Sequence, residues 1–249
     1  MKKGVKTALI ITGVVVLLGV TGFIAWGLTP LGPTSEALAA MESNANVTVQ
    51  NNGNFVVFTP TSNTPITGFV FYPGGHVDYR SYAPVAQEIA SHGYMVSIVR
   101  MPLSLAVFGI NKADEVITAY PDMRYWVIGG HSLGGSMAAS YAGKHADQVH
   151  GLVFWASYPG TSDDLSSTSL KGLSTYGSND QVMNRDNFNA TIALLPPGTR
   201  MQVIQGGNHA QFGNYGLQPG DGTATISTAD QQTQAADLTV RLLRAVEGE

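Results

Sequence analysis

Short apolar runs, each the length of one strand, alternate with segments of helical periodicity through most of this 249-residue chain. The runs GFVFY at 68–72 and MVSIV at 95–99 are nearly continuous, which is typical of strands that are covered on both faces. A hairpin signal, Asn51-Asn52-Gly53-Asn54, precedes them. The alternation predicts an α/β fold with a mostly parallel central sheet flanked by helices. The predicted strands are 47–50, 55–58, 68–72, 95–99, 125–129, 149–155, 172–176 and 201–204, and the predicted helices are 82–92, 111–120, with Asn111 as its cap, 133–145, 187–195 and 228–246.

The N-terminal segment is apolar and long enough to cross a membrane. Residues 7–28 form a run of 22 residues without a charge, and a span needs about 20 apolar residues. Lys2, Lys3 and Lys6 precede the run, and the next basic residue is Arg80. The positive-inside rule therefore places the N-terminus in the cytoplasm and the rest of the chain outside it.

This N-terminal pattern divides the chain into three parts. We expect a single-pass protein of the cell membrane whose folded domain lies on the extracytoplasmic side. The parts are a cytoplasmic basic tip with a transmembrane signal-anchor helix at 1–28, a tether at 29–46 and the folded domain at 47–249. The alternative is a signal peptide that is cleaved after Ala37-Leu38-Ala39, which would give a secreted protein starting at Ala40.

Charge and cysteine usage exclude several classes of function. The formal net charge is −4, and three of the 13 basic residues lie in the N-terminal tip, which leaves ten against 17 acidic residues. Such an acidic body argues against nucleic acid as a partner. The chain has no cysteine, so disulfides, a thiolate nucleophile and cysteine-ligated metals are excluded. Because metal-ligand spacings such as H-E-x-x-H are also absent, we expect neither a metal nor an organic cofactor.

One pentapeptide, Gly130-His131-Ser132-Leu133-Gly134, lies between a predicted strand and a predicted helix. A G-x-S-x-G sequence in this position makes a sharp turn in which the glycines let the strand and the helix approach closely. The turn exposes the serine hydroxyl at the carboxyl end of the strand, and the helix N-terminus favours negative charge nearby. Ser132 is therefore the candidate nucleophile.

A serine nucleophile needs a base, and the base needs an acid that orients it. His209 follows the last predicted strand, and Asp180 follows the strand before it. Both therefore belong to the edge of the sheet where ligands gather in folds of this kind. Asp163 and Asp164 follow the preceding strand and are the alternative acids.

Two backbone N–H groups are expected to stabilise the oxyanion of a tetrahedral intermediate. One belongs to Leu133, which follows the nucleophile. The other is expected in the loop after GFVFY, where Pro73 has no N–H and Gly75 is preferred to His76.

Five segments of the chain resemble the α/β-hydrolase superfamily, and in particular a group of small bacterial members that are often anchored to the membrane. These segments are FYPGGHVDYRSYAP, MVSIVRMPLSLAVF, GGHSLGGSMAA, YGSNDQV and QGGNHAQFGNYGLQPGDGTATIS. The resemblance extends from about Phe69 to the C-terminus and implies a triad of Ser132, Asp180 and His209. The chain departs from the family pattern at Pro73, where a histidine often precedes the oxyanion glycine.

We expect a serine hydrolase that cleaves a small carboxylic ester through an acyl-enzyme. The stretch between the predicted strands 149–155 and 172–176 is too short for a folded lid, so the site should be open and should favour short acyl chains. Met101–Ile110 is an apolar segment that either lines the pocket or packs in the core. The alternatives are an acyltransferase with the same triad and a catalytically inactive binding module on the same fold.

Overall fold

A computed structural model of the chain describes residues 3–248. The strands are β1 (Val47–Asn51), β2 (Phe55–Pro60), β3 (Thr67–Tyr72), β4 (Met95–Val99), β5 (Tyr125–His131), β6 (Gly151–Trp155), β7 (Lys171–Gly177) and β8 (Arg200–Ile204). The α-helices are α1 (Lys3–Gly27), α2 (Ser35–Ala39), α3 (Ala83–Ser91), α4 (Ala113–Ala119), α5 (Leu133–Lys144), α6 (Arg185–Thr191) and α7 (Thr228–Glu247).

The eight strands form one sheet in the order β1-β2-β4-β3-β5-β6-β7-β8. β2 is antiparallel to both β1 and β4, and every other neighbouring pair is parallel. The mostly parallel sheet predicted from the sequence is therefore confirmed. Because parallel strands point the same way, the carboxyl ends of β3, β5, β7 and β8 meet at one edge of the sheet.

The sheet is covered on both faces, as its continuous apolar strands predict. All six residues of β3 are buried. Phe69 and Phe71 pack in one apolar cluster, together with residues of α3 and α7. Val70 and Tyr72 point to the other face and pack in a second cluster, together with residues of α5. This arrangement leaves the loops at the carboxyl edge free to build a site.

The predicted strands and helices are present with small differences at their ends, but the predicted Asn111 cap is wrong. Asn111 lies in a 3-10 turn, and α4 begins at Ala113 without a side-chain cap on the preceding residue. The hydroxyl of the buried Tyr72 instead accepts the Ala113 N–H at 2.9 Å and donates to the Ile110 carbonyl at 2.6 Å. A tertiary contact has replaced the local cap.

α1 has the character of a membrane span or of a signal sequence. Gly4–Gly27 is a strongly apolar stretch of 24 residues, long enough to cross a membrane, and its described side chains are almost all exposed rather than packed against the body. Of the predicted basic tip, residues 1 and 2 lie outside the described residues.

The predicted tether at 29–46 lies against the folded domain. Thr34 caps α2, in which Ala37 is fully buried. Leu31 forms a β-bridge with Val77, and the Thr34 N–H donates to the Asn214 carbonyl at 2.8 Å. Backbone and side-chain contacts thus fix the path between α1 and β1.

The last turns of α1 contact the loops that follow β3 and β4. The Trp26 indole stacks on the His76 imidazole with ring centroids 4.0 Å apart, and a ring nitrogen of His76 lies 2.8 Å from the Trp26 carbonyl oxygen. The Phe23 ring meets Phe108 edge to face at 6.2 Å. The carboxyl end of α1 therefore lies at the carboxyl edge of the sheet.

Candidate active site

Ser132 lies in the sharp turn between β5 and α5. Its backbone has φ 51° and ψ −123°, and a positive φ is a strained conformation for any residue with a Cβ. A Cβ at Gly134 would overlap the carbonyl oxygens of Tyr72 and Pro73, so α5 can approach β3 only with glycine at this position. The predicted turn chemistry is therefore present in the structure.

The turn around Ser132 is fixed by hydrogen bonds that the sequence pattern does not reveal. The Ser132 N–H donates to the Trp155 carbonyl at 2.9 Å. The Ser157 hydroxyl donates to the Ser132 carbonyl at 2.6 Å. Both partners come from the end of β6 and the loop after it, so the neighbouring strand holds the strained residue in place.

His209 and Asp180 form a buried pair. Nδ1 of His209 lies 2.9 Å from Oδ2 of Asp180, and the two residues are 1% and 6% exposed. Oδ1 of Asp180 accepts the N–H groups of Val182 at 2.9 Å and Met183 at 2.8 Å. Because an ionised carboxylate can only accept hydrogen bonds, Nδ1 of His209 must carry the proton that points to Asp180. Nε2 of His209 is then free to accept a proton.

The environment of Asp180 keeps it ionised. Burial acts to raise the pKa of the Asp180 carboxyl. The hydrogen bond from His209, the charge of His209 and the two backbone N–H groups together outweigh burial, so that the pKa is lowered. An ionised acid that orients the histidine is the arrangement that a serine nucleophile needs.

The alternative acids do not contact His209. Asp163 accepts a hydrogen bond from the Ser140 hydroxyl on α5. Asp164 accepts the Ser166 N–H in its own loop. Among the candidate acids, the structure brings Asp180 to the histidine.

The loop after β3 supplies three backbone N–H groups, two of which already have acceptors. The Gly74 N–H donates to the Tyr82 hydroxyl at 3.0 Å, and the His76 N–H donates to the Ser104 carbonyl at 2.8 Å. The N–H groups of Gly75 and Leu133 have no acceptor among residues 3–248. A Cβ at Gly75 would lie 3.1 Å from Cδ2 of Leu133, so the two candidate donors belong to adjoining segments.

His131 and Tyr82 lie beneath this loop, and sequence reasoning did not pair them. The Tyr82 hydroxyl lies 2.8 Å from Nδ1 of His131. Burial raises the pKa of Tyr82, so the hydroxyl keeps its proton and donates to His131 while it accepts from Gly74. The ring centroids of His131 and His209 are 4.5 Å apart. The pair thus joins the oxyanion loop to the core beneath the candidate base.

The open side of the site is bordered by irregular segments. Residues 156–170, between β6 and β7, contain no helix. The 101–110 segment contains 3-10 turns in which Leu103 and Ser104 have φ of 50° and 55°. Met101 and Ala106 of this segment are buried in the core.

No group of three side chains in the described part of the chain is placed to hold a metal ion. The chemistry that the site offers resides in the serine, the histidine–carboxylate pair and the two backbone N–H groups.

Comparisons with known proteins agree with the fold. Residues 68–233, two thirds of the chain, match the model of the alpha/beta hydrolase family. A predicted CIB-like hydrolase from Thermoplasma acidophilum has a similar structure, with TM-score 0.55, 16% identity, 78% of this chain covered and 99% of that one. Est1E from Butyrivibrio proteoclasticus is similar with TM-score 0.57, 11% identity, 80% of this chain covered and 100% of that one. No curated protein matches the sequence. The chain belongs to the alpha/beta hydrolase family and is an enzyme of the hydrolase class.

Proposed function

We propose that the protein hydrolyses a carboxylic ester through an acyl-enzyme on Ser132. One observation carries the proposal: three features lie at the same edge of the sheet. They are the strained Ser132, the buried pair of His209 and Asp180, and two backbone N–H groups that have no acceptor in the described chain. These are the parts that acyl transfer to a serine requires.

Each group has one role in the proposed reaction. Nε2 of His209 takes the hydroxyl proton as Ser132 Oγ attacks the ester carbonyl carbon, and Asp180 stabilises the imidazolium that forms. The N–H groups of Gly75 and Leu133 donate to the oxyanion. Collapse of this intermediate breaks the bond to the alcohol oxygen, which leaves with the proton from His209. Water then attacks the acyl-enzyme with the same proton transfers and releases the carboxylic acid.

The borders of the site support a small substrate with a short acyl group. The loop between β6 and β7 adds no helical cover to the site. Leu105 and Leu133 provide an apolar surface beside Gly75, since both side chains lie within 4 Å of where its Cβ would be. A short apolar wall beside an uncovered serine suits a short acyl chain.

The same proposal includes the place of the enzyme in the cell. We infer that α1 crosses the cell membrane, with the catalytic domain at 47–249 on the extracytoplasmic side and the docked segment 29–46 between them. The length and apolar character of α1 support this arrangement. Secretion after signal cleavage is the alternative.

Labelling with a fluorophosphonate and hydrolysis of p-nitrophenyl acetate test the chemistry. We expect Ser132→Ala to abolish both in a folded protein, whereas Ser91→Ala, a surface control on α3, should leave both unchanged. Asp180→Asn should lower kcat by roughly 10⁴-fold through loss of His209 orientation, and Asp163→Asn should not. Near wild-type turnover by folded Ser132→Ala would refute the proposed nucleophile.

A further inference from the structure

A polar cavity of about 600 Å³ lies where α1 meets the body. Three basic side chains line it: Arg80, Arg100 and Lys112. Gly27 and Leu28, at the carboxyl end of α1, line it as well. The cavity is separate from the Ser132 site but shares with it the loops after β3 and β4.

The basic side chains in this cavity are only partly neutralised. Three of the ten basic residues outside the N-terminal tip line it, together with one acidic residue, Asp78. Arg80 pairs with Asp78 and Lys112 pairs with Glu115. The Arg100 guanidinium makes no hydrogen bond or ion pair with any residue from 3 to 248. An anion in the cavity would therefore meet a cation that has no internal partner.

Arg80 also retains donors for a second anion. Its Nε and one terminal nitrogen bind the Asp78 carboxylate at 2.9 and 2.7 Å, and the other terminal nitrogen makes no bond to a described residue. Guanidinium groups bind phosphate oxygens with well-directed, charge-assisted hydrogen bonds. The donor set of the cavity thus suits a phosphate group.

Exposed apolar side chains lie at the end of α1, where Leu28 borders the cavity. Leu28 is 66% exposed, and on the neighbouring loop Val107 and Phe108 are 42% and 54% exposed. The Phe108 ring contacts Phe23 of α1. If α1 spans the bilayer, these side chains lie at the level of its outer surface, and the cations lie at the level of the lipid headgroups.

We propose that this cavity binds the phosphate of an anionic phospholipid headgroup. The exposed apolar side chains beside the cavity, at the end of α1, favour a lipid over a free phosphate ion. The inference rests on the membrane anchor of the proposed function and is independent of the chemistry at Ser132. Because Ser104 lines the cavity and its carbonyl accepts the His76 N–H, a bound headgroup would also support the loop that carries Gly75.

Lipid titration of the purified full-length protein in detergent, followed by native mass spectrometry, tests the proposal. Dioleoyl-phosphatidylglycerol should bind with an apparent Kd at least tenfold lower than dioleoyl-phosphatidylcholine. Each surface cation contributes about fivefold to the affinity for anionic lipid. The apparent Kd for phosphatidylglycerol should therefore rise about fivefold in Arg100→Gln and about thirtyfold in Arg80→Gln/Arg100→Gln.

The matched control is Arg200→Gln/Arg241→Gln, which removes two cations from a different cavity, formed by β7, β8 and α7. This variant should bind phosphatidylglycerol like the wild type. Equal binding of the two lipids, or equal losses in the two double variants, would overturn the proposal. If millimolar inorganic phosphate displaced phosphatidylglycerol, the cavity would be a site for the free ion, and the proposal of a lipid ligand would be wrong.

Two readouts separate this proposal from the proposed ester hydrolysis. Ser132→Ala should bind phosphatidylglycerol with unchanged Kd. Arg100→Gln should retain its fold, because the Arg100 side chain bonds no residue in the described part of the chain, and circular dichroism checks this. Failure of lipid selectivity together with intact fluorophosphonate labelling would reject the headgroup site alone.

Discussion

His131 is a buried residue that links the loop after β3 to the candidate base. It is 1% exposed, accepts a hydrogen bond from Tyr82 and lies against the ring of His209. Burial disfavours the imidazolium ion, and the charge of His209 adds to this effect, so the pKa of His131 is well below its ordinary value. His131 therefore favours its neutral form, in which it accepts from Tyr82 beneath the loop after β3.

Replacing Tyr82 with phenylalanine tests this support. The change leaves the Gly74 N–H and Nδ1 of His131 buried without their shared partner, so the free energy of unfolding should fall by about 1–3 kcal/mol. We expect kcat to decrease more than KM increases, because the loop orients a group that acts on the transition state. Tyr79→Phe is the control, since the Tyr79 hydroxyl bonds no described residue. Unchanged kcat in Tyr82→Phe would show that the loop does not need this hydroxyl.

The lowered pKa of His131 also predicts how stability depends on pH. An unfolded histidine has a pKa near 6.5. Since the folded pKa is lower, the unfolded state binds more protons below about pH 6.5, and stability falls there by up to about 1.4 kcal/mol per pH unit. His131→Gln should flatten this slope between pH 7 and 5 in denaturant titrations of the detergent-solubilised protein. The exposed control His92→Gln should retain the wild-type slope.

The sequence pattern predicts the candidate site residues but not the hydrogen bonds that hold them. Gly130–Gly134 predicts the turn because the motif is local, and the order of Ser132, Asp180 and His209 along the chain follows the strands that carry them. Ser157 and Tyr82 are ordinary polar residues in the sequence. Their partners lie 25 and 49 positions away, and only the folded sheet brings those positions together.

At the scale of the element, the segment between β6 and β7 is the part of the chain on which the proposed substrate size depends. Residues 156–170 join the two strands without forming a helix. The strands themselves are predictable because the apolar runs match buried parallel strands. The docking of α2 is not predictable, since a five-residue helix with one buried alanine has no distinctive periodicity.

The absence of a helix in residues 156–170 predicts the response to acyl length. Rates on p-nitrophenyl esters should decline as the acyl chain grows beyond a few carbons, because an uncovered site leaves a long chain in water. Rates should also show no jump at the micelle threshold of the substrate. A maximum at long-chain esters would contradict the expected open site.

For the whole molecule, the sheet brings four strand ends together at one edge, and α1 ends at the same edge. The strand pattern predicted the mostly parallel sheet. The sequence could not predict that α1 would contact the loop after β3, because Trp26 and His76 are 50 residues apart and no sequence pattern relates them.

The orientation of the whole protein follows from the proposed anchor. Protease added to intact cells should degrade the catalytic domain, and N-terminal sequencing of the mature protein should still find the apolar span. A cytoplasmic marker protein should stay intact in the same cells. A mature protein that starts at Ala40 would show that the segment is a cleaved signal.

The docked segment between α1 and β1 determines what kind of encounter the enzyme has with its substrate. Leu31 and Thr34 bind the domain directly, so no free length of chain lets the domain travel away from the helix. With the proposed membrane anchor, an enzyme held in this way would work within a thin layer along the membrane. Its turnover should then follow the number of substrate molecules per unit area of that layer, and a substrate that partitions into the layer should be consumed faster than its bulk concentration suggests.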